Sequence, residues 1–193
     1  MAPVNKYQFL DYLESRVEGH LQEAIKIFQN EIEAVLLQAA PNGGWSIAQC
    51  LDHLNGYGHF YLPLIASELQ KPQLKPASEI FKSSWLGSYF TRMMEPSTGT
   101  KKFKAFKNHV PPPNLDAPVV VAEFIQQQEN LLAYLKQARH VDLDTIKLPL
   151  SITKLIKLKL GDVFQFLIAH NERHLLQAKR NLAPVVKNQT HTA

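Results

Sequence analysis

Apolar positions fall into four long runs with helical spacing. From Lys6 to Ala39, stretches such as "LQEAIKIFQNEIEAVLLQA" return an apolar side chain every three or four places. This predicts a first helix that stops at the breaker "PNGG" (41–44). "WSIAQCLDHL" opens the second. Ser46 with Gln49 three residues later is a capping-box pattern, and the run extends to about Gln70. Pro63 within it predicts a kink or break near Tyr61. "VVVAEFIQQQENLLAYLKQAR" predicts the third helix over 119–139. The fourth starts at Gly161–Asp162, with Asp162 as N-cap and Gln165 three residues on, and runs to about Leu182, before Pro184.

The connections differ in character. Residues 71–118 form a long middle section holding many of the prolines. "SSWLGSYFTRMME" predicts a short helix there, and "VPPPNLDAP" (110–118) an extended segment. In "HVDLDTIKLPLSITKLIKLKL" the alternation of "KLIKLKL" allows a strand, but no partner strand is evident. Four long helices and little strand predict an all-α fold: a four-helix bundle with a long crossover between helices 2 and 3, which lets those two run parallel. A single domain over 1–183 is expected, with 184–193 as a disordered tail.

Composition narrows the class. Hydrophobic residues make up 45% and charged residues 20% of the 193, as in an ordinary soluble protein. No run of eighteen apolar residues occurs, so no membrane span or membrane partner is expected. The start lacks a signal-peptide layout, which leaves the cytoplasm as the expected compartment. Cys50 is the single cysteine, which excludes an internal disulfide and a cysteine-based zinc knuckle. The net charge is +4, and "TKKFKAFKNH" (100–109) alone carries four lysines. Arginine is scarce and no nucleic-acid motif is present, so the stretch reads as a solvated basic loop and no specific nucleic-acid partner is expected.

The histidines change the picture. At 100° per residue, with Leu167 as zero, Val163 lies near about −40°, His174 near about −20° and His170 near about −60°. Both imidazoles then sit in the apolar stripe of the fourth helix, while Glu172, Arg173 and Arg180 point well away. On the second helix, with Cys50 as zero, Tyr57 lies near about −20° and His53 near about −60°, both inward, whereas His59 and Asp52 are expected to be exposed. Inward imidazoles need polar partners that these stripes do not supply. An i, i+4 pair brings two rings within reach of one ion, and a third from a facing helix completes a three-histidine set with an open position, which suits Zn²⁺ or Ni²⁺. The motif is not H-E-x-x-H, since Asn171 follows His170, so a peptidase of that type is disfavoured.

Three stretches carry a resemblance. "WSIAQCLDHLNGYGHF" (45–60) leads into His53, "FKSSWLGSYFTRMMEP" (81–96) lies in the crossover, and "LGDVFQFLIAHNERHLLQAKRNL" (160–182) holds H-x-x-x-H-x-x-Q. Together, over roughly Phe9 to Leu182, they resemble the DinB/YfiT-like superfamily of metalloenzymes. The resemblance implies a four-helix bundle, commonly a homodimer, with a divalent transition metal (Zn or Ni) on His53, His170 and His174. Gln177 becomes a candidate supporting hydrogen-bond partner, and Tyr57 either a substrate-orienting residue or core packing. Characterised relatives include transferases using low-molecular-weight thiols, isomerases and hydrolases.

The expected function is therefore a metal-dependent enzyme that transfers a low-molecular-weight thiol to a small electrophile, the cation holding the thiol as its nucleophilic thiolate. Two alternatives stand beside it: a metal-dependent hydrolase, in which the ion activates water, and a non-enzymatic, stress-related metal-binding module. Cys50 lies near a helix start but points into the core, and reads as a structural thiol.

Overall fold

The computed structural model describes residues 2–41, 43–72, 77–98, 105–106 and 109–189, the last seven as backbone only. Strand β1 (Val4–Asn5) leads into α1 (Lys6–Glu23), capped by the Asn5 side chain. A π-helical turn follows (Ala24–Phe28), then short α2 (Glu33–Leu37). The expected single helix from Lys6 to Ala39 is thus broken. A straight helix would stack Phe28, Ile32 and Leu36 on one face. The chain turns after Phe28 instead, leaving Ile32 64% exposed and returning Leu36 to the core.

Helix α3 (Ile47–Leu69) begins at the anticipated capping box: Gln49 N–H donates to Ser46 Oγ at 3.1 Å, and Ser46 N–H donates to Gln49 Oε1 at 3.0 Å. It passes through Pro63 without a break. Strand β2 (Ile80–Phe81) pairs with β1, and α4 (Trp85–Met94) is the predicted crossover helix. Helix α5 (Ala117–Ala138) is capped by Asp116. Its C-terminal end is held by the buried ammonium of Lys6, which donates to Arg139 O at 2.8 Å and Val141 O at 3.3 Å; a cation there complements the helix dipole. Strands β3 (Lys147–Leu150) and β4 (Thr153–Lys159) form a hairpin, so the "KLIKLKL" strand does have a partner, hidden in the sequence by Pro149.

Helix α6 (Leu160–Gln189) follows β4 directly. It therefore starts earlier than expected and Asp162 is not its N-cap; the carboxylate turns instead to Ser83 and Ser84 of the crossover. The backbone remains helical past Pro184 rather than ending at Leu182. Residues 190–193 and most of the basic stretch 101–107 lie outside the described residues.

Two apolar clusters show how the four long helices run. One gathers Leu10 and Leu13 of α1, Tyr61 and Ile65 of α3, Leu131 and Leu135 of α5, and Phe164 and Leu167 of α6. The other gathers Ala24, then Ala48 and Leu51, then Val120 and Phe124, then Leu175 and Ala178. Helices α3 and α5 therefore run parallel to one another and antiparallel to α1 and α6, as the long crossover allows. Helix α3 packs on both α5 and α6. Among the described residues, no helix is long and apolar enough to cross a membrane.

Candidate metal centre

The site forms where α3 packs on α6, and the register of both helices builds it. His53 and His170 are buried and His174 half-buried. Their ring nitrogens come together: His53 Nε2 lies 3.2 Å from His170 Nε2, and one nitrogen from each of the three rings falls within 4.8 Å of the others.

The outer nitrogens decide which lone pairs face inward. His53 Nδ1–H donates to the carbonyl of His109 at 2.7 Å, and His174 Nδ1–H donates to Gln177 Oε1 at 3.0 Å. Each of these rings then presents an unprotonated Nε2 to the centre. His170 is different. Its Nδ1 is buried with no hydrogen-bond partner, and its Nε2 faces that of His53. Converging lone pairs beside an orphaned imidazole nitrogen form a donor set that a cation satisfies better than any side chain present.

Rings close round the triad. Tyr57 lies edge-on to His53 and His170, with centroids 5.2 and 4.5 Å away. Trp45 flanks His53 at 4.8 Å and His174 at 5.8 Å, and Phe166 stacks on His170 at 5.7 Å. Burial pushes the Tyr57 phenol up to about 12, so it is neutral. Burial likewise raises the Cys50 thiol to about 12, which fits a structural cysteine rather than a nucleophile. His59 is exposed, as expected, and pairs with Glu123, while Asp52 is half-buried rather than exposed.

Sequence reasoning missed His109. Its ring stacks on Tyr57 with centroids 4.3 Å apart and its carbonyl holds His53, so the crossover fixes the orientation of an imidazole 56 residues away. A main-chain contact from an irregular segment leaves no sequence signal. The charged cluster of Arg16, Glu95 and Glu172 was also missed: Arg16 ties the back face of α6 to the end of the crossover helix.

Burial drives the imidazoles towards neutrality. It lowers His53 to about 4 and His174 to about 3, and takes His170 well below its ordinary value. In the unfolded chain each takes up a proton near about 6.5. Between those limits the unfolded state binds more protons than the folded one. The contribution to stability is therefore complete above about pH 6.5 and is lost as the pH falls towards about 4, by roughly 1.4 kcal/mol per pH unit for each histidine. Thermal unfolding of the metal-free protein across this range should show the decline, and a flat profile would contradict a buried neutral triad.

Most of the chain matches a known family. The model of the DinB superfamily matches residues 16–178. The chain belongs to the DinB superfamily. Among solved structures, this DinB chain is similar to YfiT from Bacillus subtilis, described as a probable metal-dependent hydrolase with an unusual four-helix bundle topology. The match has a TM-score of 0.53 and 14% identity, and covers 93% of this chain and 87% of that one. It shows a shared fold. No curated protein matches the chain.

Proposed function

We propose that the protein is a metal-dependent enzyme with His53, His170 and His174 as the ligands of one divalent ion and Gln177 as the support of His174. The observation that carries this reading is the convergence of the three ring nitrogens within 4.8 Å. Three imidazoles suit zinc or nickel and leave coordination positions open, as catalytic rather than structural sites do. An ion bound there supplies a positive centre that lowers the pKa of a thiol or water brought to it.

Transfer of a low-molecular-weight thiol to a small electrophile is the favoured reaction. Among the described residues the group of ligand atoms that converges here holds three histidines and no carboxylate that could act as a general base. A thiol, already acidic near about 8.5, needs less help to ionise than water. Tyr57, neutral and wedged between His53 and His170, offers a rigid wall against which substrate aligns. Hydrolysis is the second reading, favoured by the description of YfiT. The buried lone thiol fits a cytoplasmic setting, and the exposed side chains of Trp85 (80%) and Leu155 (95%) offer apolar surface for a homodimer.

Protein purified without chelator should contain about one transition-metal ion per chain. Monochlorobimane offered with a panel of thiols should then be turned over by the loaded protein. Metal without thiol turnover, together with cleavage of an activated ester or amide, would favour the hydrolase. Protein that neither retains nor takes up metal would overturn the proposal.

A further inference from the structure

Flat side chains border the triad. Trp45 lies against His53 with centroids 4.8 Å apart and against His174 at 5.8 Å, the second pair 29° from parallel. Tyr57 stands edge-on to His53 and His170, and Phe166 stacks on His170 at 5.7 Å and 22°. Among the described residues, no carboxylate shares the cluster of ligand atoms. A molecule that reaches the centre therefore meets ring faces and edges.

These walls differ in exposure. Tyr57 and Phe166 are each 8% exposed and belong to the apolar cluster between the helices. Trp45 is half-buried, and so is His174, the imidazole on which it stacks. His53 and His170 are buried. Trp45 and His174 thus stand on the solvent side of the centre, and a molecule arriving there comes in along the indole.

The indole is also held in place. Ser46, next in the chain, is the buried N-cap of α3, and Asn181 of α6 donates to the Trp45 carbonyl at 2.8 Å. The main chain of Trp45 is tied to both helices that carry the ligands. An apolar residue just before an N-cap commonly packs on its own helix, a task that Leu or Ile performs as well. Neither would set a flat π face against two imidazoles. Such a face, rigid and half-exposed, favours a planar guest over a puckered one of the same size.

We infer that the site takes a molecule carrying an aromatic or other planar conjugated group next to the part that reaches the His53–His170–His174 centre, and that this group stacks on Trp45. This rests on the metal reading above and specifies the substrate class within it. In the thiol-transfer reading, the planar group belongs to the electrophile. Trp45 is then the determinant of specificity.

Two chelators with the same metal-binding head test the inference: benzohydroxamate, whose ring is flat, and cyclohexanecarbohydroxamate, whose ring is puckered. Cobalt-loaded protein is titrated with each, the visible spectrum of the ion reporting binding. The wild-type protein should bind the flat chelator roughly three- to tenfold more tightly. Trp45→Leu, which keeps an apolar side chain, should bring the two affinities within about twofold. Trp45→Phe, which restores a flat ring, should recover part of the preference. Following the same two chelators across the variants cancels any difference between their heads. Equal affinities in the wild type, or a preference undiminished in Trp45→Leu, would overturn the inference and leave the metal reading intact. Failure of the wild type to take up cobalt would overturn both.

Discussion

Replacing His170 by Ala is expected to abolish metal retention. His170 is the most enclosed of the three imidazoles, and its Nε2 lies 3.2 Å from that of His53. Without it, His53 and His174 remain, too few to hold an ion through purification. The loss should also appear as stability. A ligand at a thousandfold excess over its dissociation constant stabilises the folded state by about 4 kcal/mol. In a protein of this size that corresponds to a rise in Tm of roughly 8–16 °C. Wild-type protein should show such a rise on metal addition, and His170→Ala should show almost none. The metal-free proteins should differ much less, since the substitution removes an unpartnered buried nitrogen along with the packing of a ring. A variant that keeps full occupancy would mean that the ion, if bound, sits elsewhere.

The part of this centre that could be read from the sequence is the part built by helical periodicity. His53 on α3 and His170 and His174 on α6 turn inward because they share stripes with Tyr57, Val163 and Leu167, and a stripe of that kind is a local pattern. The Ser46–Gln49 capping box, four residues long, was legible for the same reason. What the sequence concealed depends on distant partners. Nothing near His53 indicates that the carbonyl of His109 will fix its tautomer. Nothing in "KLPL" marks it as the strand opposite "KLIKLKL", because Pro149 argues locally against a strand. Glu172, Arg173 and Arg180 all looked outward on a helical wheel. The wheel does not show that Arg16 waits for Glu172, or that the end of α4 brings Met93 O against Arg173.

Asp162 is the clearest case of a local pattern with a distant purpose, and it carries the other large expected effect. D-x-x-Q reads as a helix start, yet the carboxylate, fully buried in the first turn of α6, faces the crossover 78 residues earlier. It accepts hydrogen bonds from Ser83 Oγ, from Ser84 N–H at 3.2 Å and from Ser84 Oγ at 2.7 Å. Ser84 in turn caps α4, so one negative charge serves the N-terminal ends of two helices. Gly87 allows the approach, since a Cβ there would run into the carboxylate. Asp162→Ala would leave these buried donors short of their acceptor, at a cost on the order of 3 kcal/mol or more. Asp162→Asn, which retains one acceptor oxygen, should recover part of it. The consequence extends to the site, because α4 packs Phe90 towards Phe166 and holds Arg173 through Met93 O. With α4 loosened, the urea midpoint should fall sharply and turnover by the metal-loaded protein should weaken, since Phe166, against which α4 packs, stacks on His170. Metal stoichiometry should stay near one, because His53, His170 and His174 stand on α3 and α6 and take no contact from Asp162. A midpoint unchanged from wild type would show that α4 docks through its apolar face alone. Lost metal with α4 still docked would place Asp162 in the ligand network instead.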